Sequence, residues 1–484
     1  MSRSLLFQGS ILVFAVGCGS NGATQSTSTG GGGAPTSSAS NASASASAAS
    51  TGASTTSSSS GMMVAVGDPC RGTPLPTDQH YVPAGLCARL VAHGMGGLRE
   101  LTFASNGDLF GVRAGGVIEV LHDGDGDGAF SAAEITDFAS TGGNGNNCHL
   151  DEAGGYLYAG TPGGVMRWPY VPGATAGGAG EDVVVNQPGD GNHPKHTVHV
   201  YDGYLYVHSG SSGNASNPMS PSYDTKRSLL RRFDLSTFTS GQPLDWQSGE
   251  VFSSGLRNMV GYTRNAAGRM FGVVNGLDNI HYKGSDIHDD NPGEQIVELG
   301  SGKSFGYPFC FTAQRVVVNG QVMPAGTQLL NEDFNSGHDD AWCAANSDKP
   351  ATFVQAHSAP LDLTFFDAAP AGALPEKWRG GAFVAFHGSW DRGTATGEKV
   401  VWLPFDASGH PQMPTSDTST TTFPYETVFG GGDAGGPKDG PWSWNDGTIG
   451  ESPRPVGVAI SPVDGALYIS SDASGMIYRV GIQK

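Results

Sequence analysis

The chain has 484 residues, with 45 Asp and Glu against 26 Lys and Arg, a formal net charge of −19 and no run of basic residues. Phosphate binding needs clustered positive charge, so nucleic acid is excluded as a partner. No Gly-rich dinucleotide fingerprint stands between a strand and a helix, which argues against a nicotinamide cofactor.

Taken from the N-terminus, Met1-Ser-Arg-Ser and the apolar stretch Leu5 to Val16 read as an export signal, because the stretch is too short to span a bilayer. It ends in Ala15-Val16-Gly17-Cys18, which resembles a bacterial lipoprotein cleavage box. The expectation is a signal over 1–18, lipidation at Cys18, and attachment to the outer membrane or cell surface through the lipid alone. The alternative is a secreted chain whose Cys18 leaves with the signal. Residues 19–62 are almost entirely Ser, Ala, Thr and Gly, a composition that buries nothing and serves as a tether. Residues 63–484 continue without a second low-complexity break and form one domain. In an exported chain the cysteines are expected to pair as Cys70 with Cys87, around a short loop, and Cys310 with Cys343, around an Asn/Asp/Gly-rich insertion. Cys148 is left as a buried thiol.

Within this domain one phrase returns: a glycine turn, then a strand of large apolar and small residues. It reads Gly107-Asp-Leu-Phe-Gly-Val, Gly155-Tyr-Leu-Tyr-Ala, Gly203-Tyr-Leu-Tyr-Val, Gly268-Arg-Met-Phe-Gly-Val, Gly381-Ala-Phe-Val-Ala-Phe and Gly465-Ala-Leu-Tyr-Ile. Six such phrases predict an all-β fold, a six-bladed β-propeller of four-stranded antiparallel sheets, in preference to a β-sandwich or a differently bladed ring. A propeller brings loop residues distant in sequence together over one channel.

Residues 123–134 match the twelve-residue loop of an EF-hand. Asp123, Asp125 and Asp127 stand at positions one, three and five, Gly128 makes the sharp turn, and Ala129 offers a carbonyl. Ser131 contributes through water, and Glu134 closes the shell with both oxygens. Strand-like segments flank the loop, so the expected role is a structural calcium; the alternative is an ion-free acidic hairpin.

Polar residues recur at corresponding blade edges. His193 opens Asn192-His193-Pro-Lys-His196, and Arg257-Asn258 precedes the strand that runs into Asn275-Gly276-Leu277-Asp278. Phe386-His387-Gly-Ser-Trp390-Asp391-Arg392 follows the fifth phrase, and Arg454 precedes the sixth. With Asn291-Pro-Gly-Glu294 and Phe305-Gly-Tyr-Pro308, these residues resemble the soluble glucose and sorbosone dehydrogenase-like propellers that use pyrroloquinoline quinone (PQQ), and look closest to the sorbosone branch. The resemblance covers about Leu98 to Val480. It implies a quinone with three carboxylates bound by Arg257, Arg392 and Arg454, with Asn258 as companion. It also implies a second calcium held partly by backbone oxygens around Gly276 and Leu277, and His193 as the base that takes the substrate proton. The substrate would be a sugar or sugar-derived aldehyde, and an unidentified acceptor would take the electrons. Three positions depart from the family pattern: Asp391 stands in place of a cofactor-binding lysine, Ser211 in place of the acid that orients the histidine, and His196 in place of an arginine. A binding propeller for carbohydrate or protein, and a calcium-dependent lactonase-like hydrolase, are the competing readings.

Overall fold

The computed structural model describes residues 70–143, 145–218, 220, 224–333, 336–367, 370 and 372–483; the expected signal, Cys18 and tether lie outside the described residues. The strands form six small antiparallel sheets around one axis. The first strands of the blades are Leu98–Phe103, Cys148–Asp151, Val198–Tyr201, Asn258–Arg264, Pro360–Phe365 and Pro455–Ile460. All six line one axial cavity.

Each recurrent phrase forms the second strand of its blade: Leu109–Arg113, Tyr156–Thr161, Tyr204–Ser209, Met270–Asn275, Ala382–Phe386 and Leu467–Ser471. The leading glycine turns the chain back from the first strand. Gly107, Gly155, Gly203, Gly268 and Gly465 do so at φ between +71° and +97°, where a side chain is strained. Gly381 instead makes room, since a Cβ there would lie 2.3 Å from Trp402 Nε1.

The core is divided into six wedges, one between each pair of neighbouring blades. Leu109 packs with Tyr468 and Ile477 of blade 6, whereas the next residue, Phe110, packs with Leu157 and Trp168 of blade 2. Successive side chains of a strand point to opposite faces, and here both faces meet another blade. That is why Ala382–Phe386 is buried throughout. The ring closes through Leu86–Ala92, from the N-terminal side, which pairs antiparallel with Met476–Ile482 as the outer strand of blade 6.

Both expected disulfides form, each with a Cα–Cα distance of 5.7 Å, and Cys148 is free and buried. The Cys310–Cys343 bridge staples an insertion, residues 303–351, between Glu294–Leu299 and Thr352–Val354 of blade 4. The insertion has a small core in which Tyr307, Phe311 and Leu329 pack on Leu277, Ile280 and Tyr282. It thereby buttresses the Gly276–Asp278 loop.

Candidate active site at the upper mouth of the channel

First strands begin, and second strands end, at one end of the ring, termed upper here. His193, Arg257, Asn258, Gly276, Leu277 and Arg454 all stand there. The EF-hand-like loop, residues 123–134, joins Val117–Leu121 to Ile135–Ser140, the third and fourth strands of blade 1, and therefore lies at the lower end, away from these residues. Its Asp123, Asp125 and Glu134 carboxylates place oxygens within 4.8 Å of one another. Asp127 instead accepts the Ala129 amide at 2.8 Å.

The tautomer of His193 follows from its neighbours. Ser211 Oγ donates to the Gly213 carbonyl (2.8 Å), so it accepts from His193 Nδ1–H, also at 2.8 Å. The Nε2 lone pair is left without a protein partner among the described residues. Burial, followed by the Arg257 charge, pushes the imidazole pKa down to about 3, so the ring is neutral near pH 7. Gly210 permits this approach, since a Cβ there would come within 2.6 Å of His193 Cβ. His196, by contrast, is fully buried between the carbonyls of Thr161 and Pro188.

Arg257 is buried and held in place. It donates to Asn214 O and Oδ1 at 3.0 and 2.9 Å and to Asp278 Oδ2 at 2.7 Å. Asn258 donates to Asn275 Oδ1 (3.1 Å), and Asn275 donates to the Pro360 carbonyl (2.8 Å), joining blades 4 and 5. The Gly276 amide donates to Glu294 Oε2 at 2.6 Å, and the His357 amide to Oε1 at 3.1 Å. Burial raises the Glu294 pKa to about 7. Next to Gly276 and Leu277, where backbone oxygens alone were expected, the loop also presents side-chain ligands: Asp278, His357 and Asp391 bring ligand atoms within 4.8 Å of one another. Asp391 thus faces a cation-type cluster and accepts the Asn279 amide at 2.6 Å. Trp390, 78% exposed, donates from Nε1 to Asp278 at 3.2 Å.

Arg392 departs from the expected geometry. Its guanidinium donates to Asp289 O (2.6 Å) and Asp290 Oδ1 (3.3 Å), and it lines a separate polar depression with Arg315 and Thr420. The adjacent Asp290 also pairs with Arg315, so local acids draw Arg392 away from Arg257.

Lys195 and Arg99, which sequence reasoning did not single out, supply positive charge in its place. Arg99 pairs with Asp472 at 2.8 Å, and the same carboxylate meets His387 Nε2 at 2.7 Å. Burial, with Arg99 next, lowers the pKa of Lys195, which is also within the field of Asp472. Arg454 joins this group through a bond from Nε to the His387 carbonyl at 3.2 Å. Among the described residues, Lys195 Nζ and the two Nη groups of Arg454 have no protein acceptor. Arg99, Lys195 and Arg454 thus surround Asp472, with Glu398 also in the field of Arg454, and this excess of cations suits a polycarboxylate ligand. The clue was present in Asn192-His193-Pro-Lys195-His196, where the lysine is two residues from the candidate base.

Fold and site together define a class: a six-bladed propeller with a neutral imidazole and unspent cationic donors around the upper mouth of its channel. A family model described as TrAA12-like matches residues 80–483, and the chain belongs to that family. It is 28% identical over 430 residues to the PQQ-dependent pyranose dehydrogenase of Coprinopsis cinerea, covering 85% of this chain and 56% of that protein. The chain thus spans about half the length of that relative. It is 27% identical over 407 residues to the PQQ-dependent sugar dehydrogenase of Hypocrea jecorina, covering 81% of this chain and 86% of the relative. Among solved structures, the calcium structure of the Trichoderma reesei family AA12 carbohydrate-active enzyme superposes with a TM-score of 0.70 at 26% identity, covering 84% of this chain and 98% of that one. The holo form of the C. cinerea pyranose dehydrogenase PQQ domain gives 0.69 at 26% identity, covering 85% and 99%.

Proposed function

We propose that this chain is an extracytoplasmic, PQQ-dependent oxidoreductase acting on a sugar or a sugar-derived aldehyde, tethered to the cell envelope by lipid at Cys18. The observation that carries the reading is the upper mouth itself: free donors on Lys195 and Arg454 beside a neutral His193 with an unpaired Nε2. The quinone, when bound, supplies the two-electron acceptor for hydride from the substrate carbon. Lys195 and Arg454, whose donors are unspent, are its candidate carboxylate partners, with Arg257 and Asn258 alongside. His193 Nε2 takes the hydroxyl proton of the substrate as that carbon is oxidised, while Ser211 fixes the tautomer. Trp390 and the Asp278–His357–Asp391 group flank the place where substrate and a cation would meet. The site calcium belongs near Gly276 and Leu277, and a second, structural calcium belongs in the 123–134 loop.

The test is titration of the calcium-loaded protein with PQQ, followed by dye reduction with a panel of pyranoses, sorbosone and lactones. Saturable quinone binding with sugar-dependent reduction, lost in His193→Ala, is expected. Absence of quinone binding at high micromolar concentration, or hydrolysis of a lactone without reduction, overturns the proposal.

A further inference from the structure

Arg392, which the reaction at the upper mouth does not use, lines a polar depression of about 400 Å³. It lies where blades 4 and 5 meet. The loop carrying Asp289 and Asp290, the insertion at Gln314 and Arg315, and Gln355 after the last strand of blade 4 face the loop that follows Ala382–Phe386 and the turn at Thr420. The volume is that of a small-molecule site.

Its walls hold donors that no protein group takes up. Gln314 is only 3% exposed, and its Oε1 accepts the Ala356 amide at 2.6 Å. That amide is a donor, so it fixes which end of the carboxamide is held, and Nε2 is left with no acceptor among the described residues. Gln355 repeats the pattern: its Oε1 accepts from Thr396 Oγ1 at 2.6 Å, and its Nε2 is unspent. Arg392 spends its terminal nitrogens on Asp289 O and Asp290 Oδ1, and Arg315 spends its own on Thr418 O and Asp290 Oδ2. Neither Nε has an acceptor among the described residues. Asp289 Oδ1 takes the Gly393 amide at 2.6 Å, which leaves Oδ2 as an acceptor. A nearly buried donor is costly to leave unmade, so the Gln314 amide calls for an oxygen in the depression. Two guanidiniums and two carboxylates cancel, so there is no net charge with which to hold an anion. Hydroxyl groups, which accept and donate at once, fit this mixture.

A short segment joins the depression to the mouth. Trp390 donates to Asp278 at the mouth, while Arg392, two residues on and within about 7 Å along the backbone, reaches the depression. The Trp390 ring between them is 78% exposed and offers an apolar face. We infer that the depression is a second saccharide subsite: the substrate is an oligosaccharide whose terminal unit meets His193 while following units lie over Trp390 and against Gln314, Gln355 and Arg392. The choice of a sugar rests on the reading of the upper mouth given above, whereas the subsite is read by binding alone.

The experiment is calorimetric titration of the full chain, before any PQQ is added, with glucose and with cello-, malto- and xylotetraose. At least one tetraose should bind about tenfold tighter than glucose. Arg392→Met, and Gln314→Glu, which keeps the acceptor for the Ala356 amide, should each remove that gain at unchanged melting temperature; His193→Ala should retain it. Three results overturn the inference. The first is no tetraose binding tighter than glucose up to about 10 mM, the millimolar limit of weak binding. The second is a gain that survives both Arg392→Met and Gln314→Glu, and the third is stronger competition by sodium sulfate than by glucose, which marks an anion site. A tetraose held by Arg392 and Gln314, with no sugar oxidised once PQQ is added, would leave the subsite standing and sink the reading of the upper mouth instead.

Discussion

Replacing Ser211 with Asp tests the account of His193 most directly. In the native site the imidazole pKa is pushed down to about 3 by burial and by Arg257, and the Ser211 hydroxyl offers only a neutral acceptor at 2.8 Å. A carboxylate in that position, about 4 Å from the ring charge at an effective dielectric near 20, contributes about 4 kcal/mol to the protonated form. That corresponds to about three pKa units. Part is offset because the Gly213 carbonyl loses the Ser211 donor and faces a negative group. The expected rise is therefore about two units, carrying His193 towards pH 5. Two measurements check it: NMR titration of the His193 ring proton, assigned with His193→Gln, and the acid limb of kcat/KM. In the native protein no limb from this group should appear above about pH 4, and in Ser211→Asp one should emerge near pH 5. A His193 pKa that stays still or falls refutes the geometry from which the tautomer and the base role were derived.

Lys195→Met should weaken quinone binding about 10- to 100-fold, the scale of one charge-assisted hydrogen bond, with little change in melting temperature; unchanged affinity on titration would remove Lys195 from the site. Arg392→Met should leave quinone affinity within about twofold, because that guanidinium is engaged by Asp289 and Asp290. Chelation of calcium should lower the melting temperature: at a free concentration of about 100 Kd the ion contributes about 2.7 kcal/mol. Calorimetry should show this loss reproduced by Glu134→Gln more fully than by Asp127→Ala, since Asp127 stands outside the gathered carboxylates. For Glu294, a folded pKa near 7 against a usual value of 4.5 means that its contribution is fully present below about pH 4.5 and is lost as pH rises through 7. The loss is on the order of 3 kcal/mol, and Glu294→Gln should flatten urea-denaturation stability between pH 5 and 8.

The number of blades was legible in sequence because each second strand is buried on both faces and follows a glycine that either turns the chain or makes room for a neighbour. Those two demands leave a local signature at Gly107, Gly155, Gly203, Gly268, Gly381 and Gly465. The disulfides and the acidic loop were legible for a similar reason, as cysteine spacing and the twelve-residue ligand pattern are local. His193, Arg257, Asn258 and Arg454 could be assigned to one end of the ring because they adjoin those strands. Sequence could not decide which cations converge, because this depends on where a flexible side chain finds its acid. Arg392 was claimed by Asp289 and Asp290, while Lys195 and Arg99 met around Asp472 from blades that share no local sequence. Nor could it reveal that the buried Asn146 ties together residues of blades 1, 2, 3 and 4. Periodicity and turn chemistry are properties of short segments and survive in the linear sequence; charge pairing across the axis exists only once the ring has closed.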